Sequence, residues 1–360
     1  MTTTTEQPHV AQRMGLNVLT HSSESCFKTC PRKFELQYRI GLRPAHDSNA
    51  LRIGNAFHEG LEVLKKGGDV TTAVGKVRDL YANESVPPWQ TAEEFYTEEE
   101  TAVTLVRAWA ERWAGDHVLT YVAVELEFDL PLINPVTGRS SRTFVNRGKI
   151  DGIAKGPDGR LLLVEHKTCG IAIDIGADYW RKLAMDAQVS RYVLAARELG
   201  YDVHGIAYDV TRKPSIKPKD VTKKDAKEAT ATGHYFGYPL NGAECPAHET
   251  PKMYAARLLA DMRSRPDFYF NRVEIPRTER DLDRFRHEQW MVAQQVHMAD
   301  RQGHYYRNTN SCMSPYRCTY FDVCASGTDV NEHNIPAGFV VRDVLHPELA
   351  TSANEAETHD

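Results

Sequence analysis

The stretch Ile150-Asp151-Gly152, followed by a turn and then by Leu161-Leu162-Leu163-Val164-Glu165-His166-Lys167-Thr168, decides the fold of this chain. Gly156-Pro157-Asp158-Gly159 is a strong turn signal, and it separates two segments with strand character, 142–155 and 160–168. Glu165 and Lys167 are two residues apart and therefore share one face of their strand. A tight hairpin places Asp151 roughly level with Glu165. Two carboxylates and an ammonium are thus predicted to meet where a buried strand ends.

This combination of side chains suggests a chemistry. Two converging carboxylates form a site for a hard divalent cation, and a lysine beside them can orient and activate an attacking water. Such a set suits the hydrolysis of a phosphodiester bond. The alternative interpretation is a hairpin that simply ends in solvated charges, although charges that follow four apolar residues are expected at the rim of a core.

The flanking segments extend the pattern. Residues 121–130 alternate, with Val122, Val124, Leu126, Phe128 and Leu130 on the apolar side of a half-buried strand. Residues 178–199 have helical periodicity up to Gly200, and 203–210 form another predicted strand. Gln188 and Tyr192 are four apart and share one helix face. The predicted order is helix, three strands, helix, strand.

One histidine upstream needs separate consideration. His58 lies in an amphipathic helix predicted over 53–64, whose apolar face carries Ile53, Phe57, Leu61 and Leu64. A lone histidine on such a helix is more often a packed or surface residue than a metal ligand. Its spacing alone therefore leaves both interpretations open.

Together these motifs, over about residues 22–324, resemble the PD-(D/E)XK nucleases of the RecB-like branch, and in particular the CRISPR-associated Cas-four-type exonucleases and their phage relatives. The resemblance implies an α/β, restriction-endonuclease-like αβββαβ core with a mixed sheet, helical additions at both ends and an Fe–S cluster clip. It implies that His58, Asp151, Glu165 and the backbone carbonyl of His166 hold the catalytic cation. It also implies catalytic roles for Lys167 and Gln188 and a DNA-stacking role for Tyr192.

The ligand types bear on which cation is used. Imidazole is softer than Mg²⁺ prefers and suits Mn²⁺ better. The cofactor is therefore expected to be Mn²⁺ or Mg²⁺, with Mn²⁺ supporting activity at least as well.

Seven cysteines form a second constellation. The odd count, with no recognisable signal peptide, argues against a secreted disulfide framework. Cys312-x5-Cys318-x5-Cys324 has wider gaps than structural zinc sites usually show, which favours an iron–sulfur cluster. The resemblance supplies Cys30 as the fourth ligand and implies a 4Fe–4S cluster, although the relatives most often space the middle pair two residues apart. Cys26 is interpreted as a buried thiol, and Cys169 and Cys245 as non-ligands.

Composition limits the remaining classes. A formal net charge of −5 does not by itself indicate a nucleic-acid-binding protein. Basic residues nevertheless cluster in 28–52 and in 212–227. Such clusters suit phosphate contacts or are solvated faces. Arg32 and Lys33 are expected to contact DNA. No apolar run approaches the roughly 20 residues of a membrane span, so no membrane partner is expected.

The chain is expected to contain a disordered tail (1–15), a mainly helical region with the first cluster cysteine and His58 (16–117), the nuclease core (118–215), a helical region that ends in the cysteine segment (216–326) and a C-terminal tail (327–360). The expected function is metal-dependent exonuclease action on single-stranded DNA or single-stranded ends, in recombination, repair or CRISPR adaptation and alongside proteins of those processes. The expected location is the cytoplasm of a bacterium or a phage-infected host. The alternatives are a catalytically inactive Fe–S DNA-binding module of a helicase–nuclease complex and a zinc-stabilised structural protein.

Overall fold

The computed structural model describes residues 16–114, 118–242, 244–331 and 333–349. The expected disordered tail, 1–15, and the last part of the expected C-terminal tail, 350–360, lie outside the described residues.

The first part of the chain is mainly helical, as predicted. Its elements are β1 (Asn17–Leu19), α1 (His21–Thr29), α2 (Pro31–Tyr38), β2 (Leu42–Pro44), α3 (Asn49–Lys65), α4 (Val70–Ala82) and α5 (Ala92–Arg112). Hydroxyl or carboxylate side chains cap four of these helices, because each accepts a hydrogen bond from a backbone N–H of the first turn. The helix predicted to carry His58 is therefore present, and it is longer at both ends.

The central elements follow in the predicted order. They are β3 (Thr120–Ile133), β4 (Ser140–Lys155), β5 (Leu161–Cys169), α6 (Asp178–Leu183), α7 (Ala187–Glu198) and β6 (Val203–Arg212). The prediction of a single helix over 178–199 is wrong, because the helix is interrupted between α6 and α7. Asp186 is the cause: its carboxylate caps α7 by accepting a hydrogen bond from the backbone N–H of Gln188 at 2.9 Å.

The last part of the chain contains α8 (Lys223–Thr232), β7 (His234–Tyr235), β8 (Tyr238–Pro239), α9 (Pro251–Ser264), α10 (Pro266–Tyr269), β9 (Phe270–Ile275), α11 (Glu279–Gln302), α12 (Phe321–Ala325) and β10 (Phe339–Val341). Two 3₁₀ turns, Thr309–Ser311 and Pro347–Leu349, flank the cysteine and terminal segments. The basic segment 212–227 is partly helical, because Thr222 caps α8.

The sheet is mixed, as predicted. β5 and β6 are parallel and β1 and β4 are parallel, whereas β3–β4, β4–β5 and β6–β9 are antiparallel. The sheet is larger than the predicted core of 118–215, because β1 and β9 lie outside that range and pair with β4 and β6. The expected C-terminal tail is also partly folded: β10 pairs with β2, and Phe339 stacks on Tyr320 at 5.6 Å.

The simple alternation predicted for 121–130 is wrong at one point. The β3–β4 register shifts between Tyr121 and Ala123, so Val122 is 50% exposed while Tyr121 packs against the sheet. Glu125 has a φ of 51° and marks a second irregularity, near Asp151 on the neighbouring strand. Bulges of this kind redirect side chains at the edges of functional sites.

Separate hydrophobic clusters cover the sheet. One joins α6 and α7 to the strands and includes Ile153, Leu163 and Ile206; another joins α3, α4, α5 and α9. A buried ion pair links Arg191 of α7 to Glu24 of α1, and Arg191 also donates to the carbonyl of Leu19 at 3.2 Å. In the described part of the chain, no helix combines the length and apolar character that crossing a membrane demands.

Candidate active site

The two predicted acidic residues lie on neighbouring strands at the end of their ladder. Gly152 and Val164 form the last backbone pair of that end of the β4–β5 ladder, which leaves Asp151 level with Glu165. The Asp151 carboxylate then takes the place of a strand partner, because its Oδ2 accepts a hydrogen bond from the backbone N–H of His166 at 2.9 Å. The hairpin therefore produces the expected alignment of the two carboxylates.

Glu165 is buried and only half satisfied. Its Oε1 accepts a hydrogen bond from Lys167 Nζ at 3.0 Å, whereas its Oε2 has no hydrogen-bond partner among the described residues. Burial, together with the nearby charge of Asp151, raises the pKa of Glu165 to about 8 against the lowering effect of Lys167. An additional positive charge at this carboxylate would favour its ionised form.

Lys167 is held by three polar side chains. Its Nζ lies 3.0 Å from Glu165 Oε1, 2.9 Å from Gln188 Oε1 and 3.2 Å from Asp186 Oδ2. Burial alone would lower the pKa of this ammonium, but Glu165 and Asp186 outweigh it, so the pKa is raised above its ordinary value. Lys167 is therefore a fixed positive charge at neutral pH.

His58 reaches the site from helix α3. Its Nδ1 lies 3.9 Å from Asp151 Oδ2, and its side chain is 36% exposed. Burial lowers the pKa of His58, and Asp151 only partly opposes this. A neutral imidazole beside a carboxylate is the form that coordinates a metal ion.

The full predicted ligand set is not assembled as a metal cage. Among the described residues, no group of three or more His, Cys, Asp or Glu side chains is arranged to hold a metal ion. The structure pairs His58 with Asp151 and pairs Glu165 with Lys167. The oxygen and imidazole donors nonetheless suit Mg²⁺ or Mn²⁺, and the orphaned Glu165 Oε2 is a buried acceptor that such an ion would satisfy.

The side chain of His166 lies on the opposite face of the sheet. Its Nε2 is 3.1 Å from the Tyr121 hydroxyl, and its Nδ1 is 3.8 Å from Asp209 Oδ2. Burial holds the pKa of His166 well below its usual range. Because successive strand residues alternate, the ring of His166 points away from the Asp151 side, and the role of its backbone carbonyl as a ligand stays a prediction.

This geometry accompanies a match over most of the chain. Residues 18–325 match the sequence model of the PD-(D/E)XK nuclease superfamily. The chain belongs to this superfamily. Its members are metal-dependent nucleases that generally use Mg²⁺ or Mn²⁺, so a hydrolytic nuclease with a DNA substrate is implied. No curated protein matches the chain.

Three residues of this PD-(D/E)XK site escaped the sequence analysis. Asp186 holds Lys167, and a capping position just before Gln188 was its available signal. Lys65 donates to Glu125 Oε1 at 3.2 Å and to the carbonyl of Asp151 at 3.1 Å. Lys65 follows His58 by two helical turns and so shares its face, whereas no local pattern pointed to Glu125.

Gln188 and Tyr192 of α7 hold Lys167 in position. Gln188 accepts from Lys167 with its Oε1, and its Nε2 donates to the Tyr192 hydroxyl at 3.2 Å. Tyr192 is 7% exposed and packs edge-on against Phe128 at 5.9 Å. The structure corrects the expectation that Tyr192 stacks on a base, because a ring buried in the core offers no free face.

The four predicted cluster cysteines come from distant parts of the chain to one region. Cys30, Cys312 and Cys318 line a cavity of about 230 Å³ between α1, α2 and the cysteine segment. Burial raises the pKa of Cys324, and the neighbouring Cys30 and Cys318 raise it further. All seven cysteines are free thiols, and the same negative result for metal groups in the described residues applies to these four.

The other thiols and the predicted DNA contacts are also located. Burial raises the pKa of Cys26 to about 12, which agrees with its interpretation as a buried thiol. Lys33 lines the cysteine cavity. Arg32 forms an ion pair with Glu35, and its side chain is 25% exposed, so the two expected DNA contacts lie close in sequence to Cys30.

Proposed function

We propose that this protein is a metal-dependent DNA exonuclease of the RecB-like type, acting on single-stranded DNA or on single-stranded ends. The observation that carries this proposal is Lys167, a partly buried ammonium fixed between Glu165 and Asp186, next to a carboxylate that lies level with Asp151. A structural ion pair would not require the unsatisfied Glu165 Oε2 or a neutral imidazole within 3.9 Å of Asp151.

His58, Asp151, Glu165 and the carbonyl of His166 would hold the cation. A bound Mg²⁺ or Mn²⁺ supplies positive charge that neutralises the phosphate and eases the ionisation of the attacking water. In the reaction the water oxygen bonds to phosphorus, one P–O ester bond breaks, and the water protons pass to solvent and to the leaving oxygen.

The chain's own contribution is mainly electrostatic. Lys167 places a fixed positive charge where the hydroxide and the extra phosphate charge develop, and it needs no reorganisation to do so. Gln188 and Asp186 hold its Nζ in position. Tyr192, which packs against Phe128, accepts a hydrogen bond from Gln188, so the helix supports the lysine.

The test uses end-labelled single-stranded and duplex DNA with Mn²⁺ or Mg²⁺. Lys167→Ala is expected to lower the cleavage rate by about 100-fold or more, while affinity for single-stranded DNA in chelator stays near that of the wild type. Lys155→Ala is the matched control, because Lys155 is an exposed lysine on the adjacent strand. His58→Ala should cost more activity with Mn²⁺ than with Mg²⁺.

The rival function predicts a different result. A catalytically inactive DNA-binding module would bind DNA but cut neither substrate with either cation, and Lys167→Ala would change nothing. If Lys167→Ala still cleaved DNA at the wild-type rate, a different site would have to be responsible for the cleavage. Release of mononucleotides from one end distinguishes exonuclease action from internal cutting.

We also propose that Cys30, Cys312, Cys318 and Cys324 bind a 4Fe–4S cluster that joins the two ends of the chain. The cavity lined by Cys30, Cys312 and Cys318 supports this, as does the contribution of Cys30 and Cys318 to the raised pKa of Cys324. A cluster that links residue 30 to residues 312–324 closes a long loop of the chain, so cluster binding should be coupled to folding. Arg32 and Lys33 beside it would contact DNA, in recombination, repair or CRISPR adaptation together with other proteins.

Anaerobic purification tests the cluster. We expect a brown protein with visible thiolate-to-iron absorption and about four iron and four sulfide per chain. Cys30→Ser should lose the colour, the thermal stability and part of the DNA affinity, whereas Cys245→Ser should lose none of them. A colourless protein that contains stoichiometric zinc would replace the cluster by a zinc site.

A further inference from the structure

The hairpin formed by β7 and β8 carries an unusual residue at its tip. Tyr235 pairs with Tyr238, which leaves a loop of two residues, Phe236 and Gly237, with φ values of 46° and 88°. Two-residue loops with positive φ at both positions strongly favour Asn, Asp or Gly. A bulky aromatic residue in this region of φ is rare. Phe236 is nevertheless 46% exposed, and its ring centroid lies 5.0 Å from that of Tyr235 in a T-shaped arrangement.

The hairpin lies within a segment that begins where β6 ends. This end of the sheet also carries Lys167 on β5, and we call it the catalytic edge. Residues 213–269 leave the sheet after β6 and return to it at β9, and Thr211 pairs with Phe270. Lys167 pairs with Val210, two residues before the end of β6. The chain therefore leaves and re-enters the sheet at the edge that carries Lys167. Lys213 also donates to the carbonyl of Ala50 at 2.6 Å, in the helix that bears His58.

The helix that precedes the hairpin is basic on its exposed side. Lys223, Lys224 and Lys227 of α8 are exposed. The helix has two acids: Asp225 lies 3.3 Å from Lys219, and Glu228 is exposed. The hairpin and α8 share a small core through Ala229 and Tyr235, so the lysines and the aromatic tip are parts of one packed unit.

We propose that this unit, α8 with the β7–β8 hairpin, is a binding site for single-stranded DNA. Phe236 stacks on an unpaired base, and the lysines of α8 contact neighbouring phosphates. Exposed aromatic rings beside basic side chains are the combination that binds single strands without reading sequence. The inference deepens the proposed function and rests on it, since it assigns the strand that enters the catalytic edge a contact outside the motif residues.

The strained position makes a sharp test available. Phe236→Asn removes the ring but installs a residue that the loop conformation favours, so the thermal midpoint should stay the same or rise. Fluorescence anisotropy with a labelled oligonucleotide, in chelator to prevent cleavage, should show affinity for single-stranded DNA reduced by about 5- to 100-fold. Phe236→Trp keeps a ring at the same strain and should retain the affinity.

Two further variants complete the design. Tyr96→Asn removes an aromatic side chain that is 58% exposed on the acidic helix α5, and it should not change affinity. The triple change of Lys223, Lys224 and Lys227 to Gln should weaken the salt dependence of binding. The slope of the logarithm of the binding constant against the logarithm of salt concentration should fall by about 0.7 per lost phosphate contact.

The outcomes are distinguishable from those of the proposed function. Unchanged single-strand affinity in Phe236→Asn, in a wild type that cuts DNA with Mn²⁺, overturns this inference alone. An equal loss for fully paired duplex overturns base stacking, and a lowered thermal midpoint in Phe236→Asn shows that the ring serves the fold. A wild type that neither binds nor cuts DNA overturns both proposals together.

Discussion

Glu165→Gln is expected to stabilise the metal-free protein at alkaline pH, although it removes a proposed metal ligand. The Glu165 side chain is 3% exposed. Burial and the charge of Asp151 together raise its pKa from 4.5 to about 8, and Lys167 opposes part of the rise. Between these two pH values the folded chain retains a proton that the unfolded chain has lost. The free energy of unfolding therefore falls as pH rises through this window.

The size of the effect follows from the two pKa values. From pH 5.5 to pH 8, the raised pKa of Glu165 should remove about 3 kcal/mol from the free energy of unfolding. A glutamine at 165 has no proton to lose and can still accept the hydrogen bond from Lys167. The stability of Glu165→Gln relative to wild type should thus rise by about 3 kcal/mol over the same interval.

Urea unfolding in chelator, followed by circular dichroism at pH 5.5 and pH 8, measures this difference. Glu228→Gln is the control, because Glu228 is exposed and its variant should differ from wild type equally at both pH values. Adding Mn²⁺ at pH 8 should stabilise the wild type and not Glu165→Gln, since the cation binds only the native site. A stability difference between Glu165→Gln and wild type that is the same at pH 5.5 and pH 8 would refute the reasoning.

Three other predictions follow from packing and hydrogen bonding. Arg191→Met should lower the free energy of unfolding by about 3–5 kcal/mol, because it leaves Glu24 buried without its ion-pair partner. Urea unfolding of the double variant Arg191→Met/Glu24→Leu should show that part of this loss is recovered. If nothing is recovered, the ion pair is not the cause of the loss. Tyr192→Phe should slow cleavage about 3- to 10-fold without changing DNA affinity, because it removes one acceptor from Gln188; equal loss of binding would contradict the supporting role. Gly60→Ala should destabilise by about 1–2 kcal/mol, since its Cβ would lie 2.6 Å from Val106 Cγ2, whereas Gly75→Ala in α4, where a Cβ meets nothing within 4 Å, should be neutral or stabilising in thermal melts.

The central hairpin was predictable because its signals are local. Gly156-Pro157-Asp158-Gly159 specifies the turn, and the apolar run 161–164 specifies the buried strand, so the level of Asp151 and Glu165 follows from chain geometry. The break before α7 was missed because helical periodicity continues across it, while the capping carboxylate of Asp186 competes with the helix for the backbone N–H of Gln188. The folding of 333–349 was missed because its stability depends on β2 and Tyr320, which are distant in sequence.

The sequence by itself determined the order of the elements, the shared face of Glu165 and Lys167, and the membership of His58 in an amphipathic helix, because each depends on residues within a few positions of one another. Tertiary structure alone decided that Asp186 and Gln188 converge on Lys167, that Tyr192 is buried, and that Cys30 lines one cavity with Cys312 and Cys318. These outcomes depend on how helices and strands pack across the sheet, and long-range packing is governed by the burial of whole faces rather than by any local pattern.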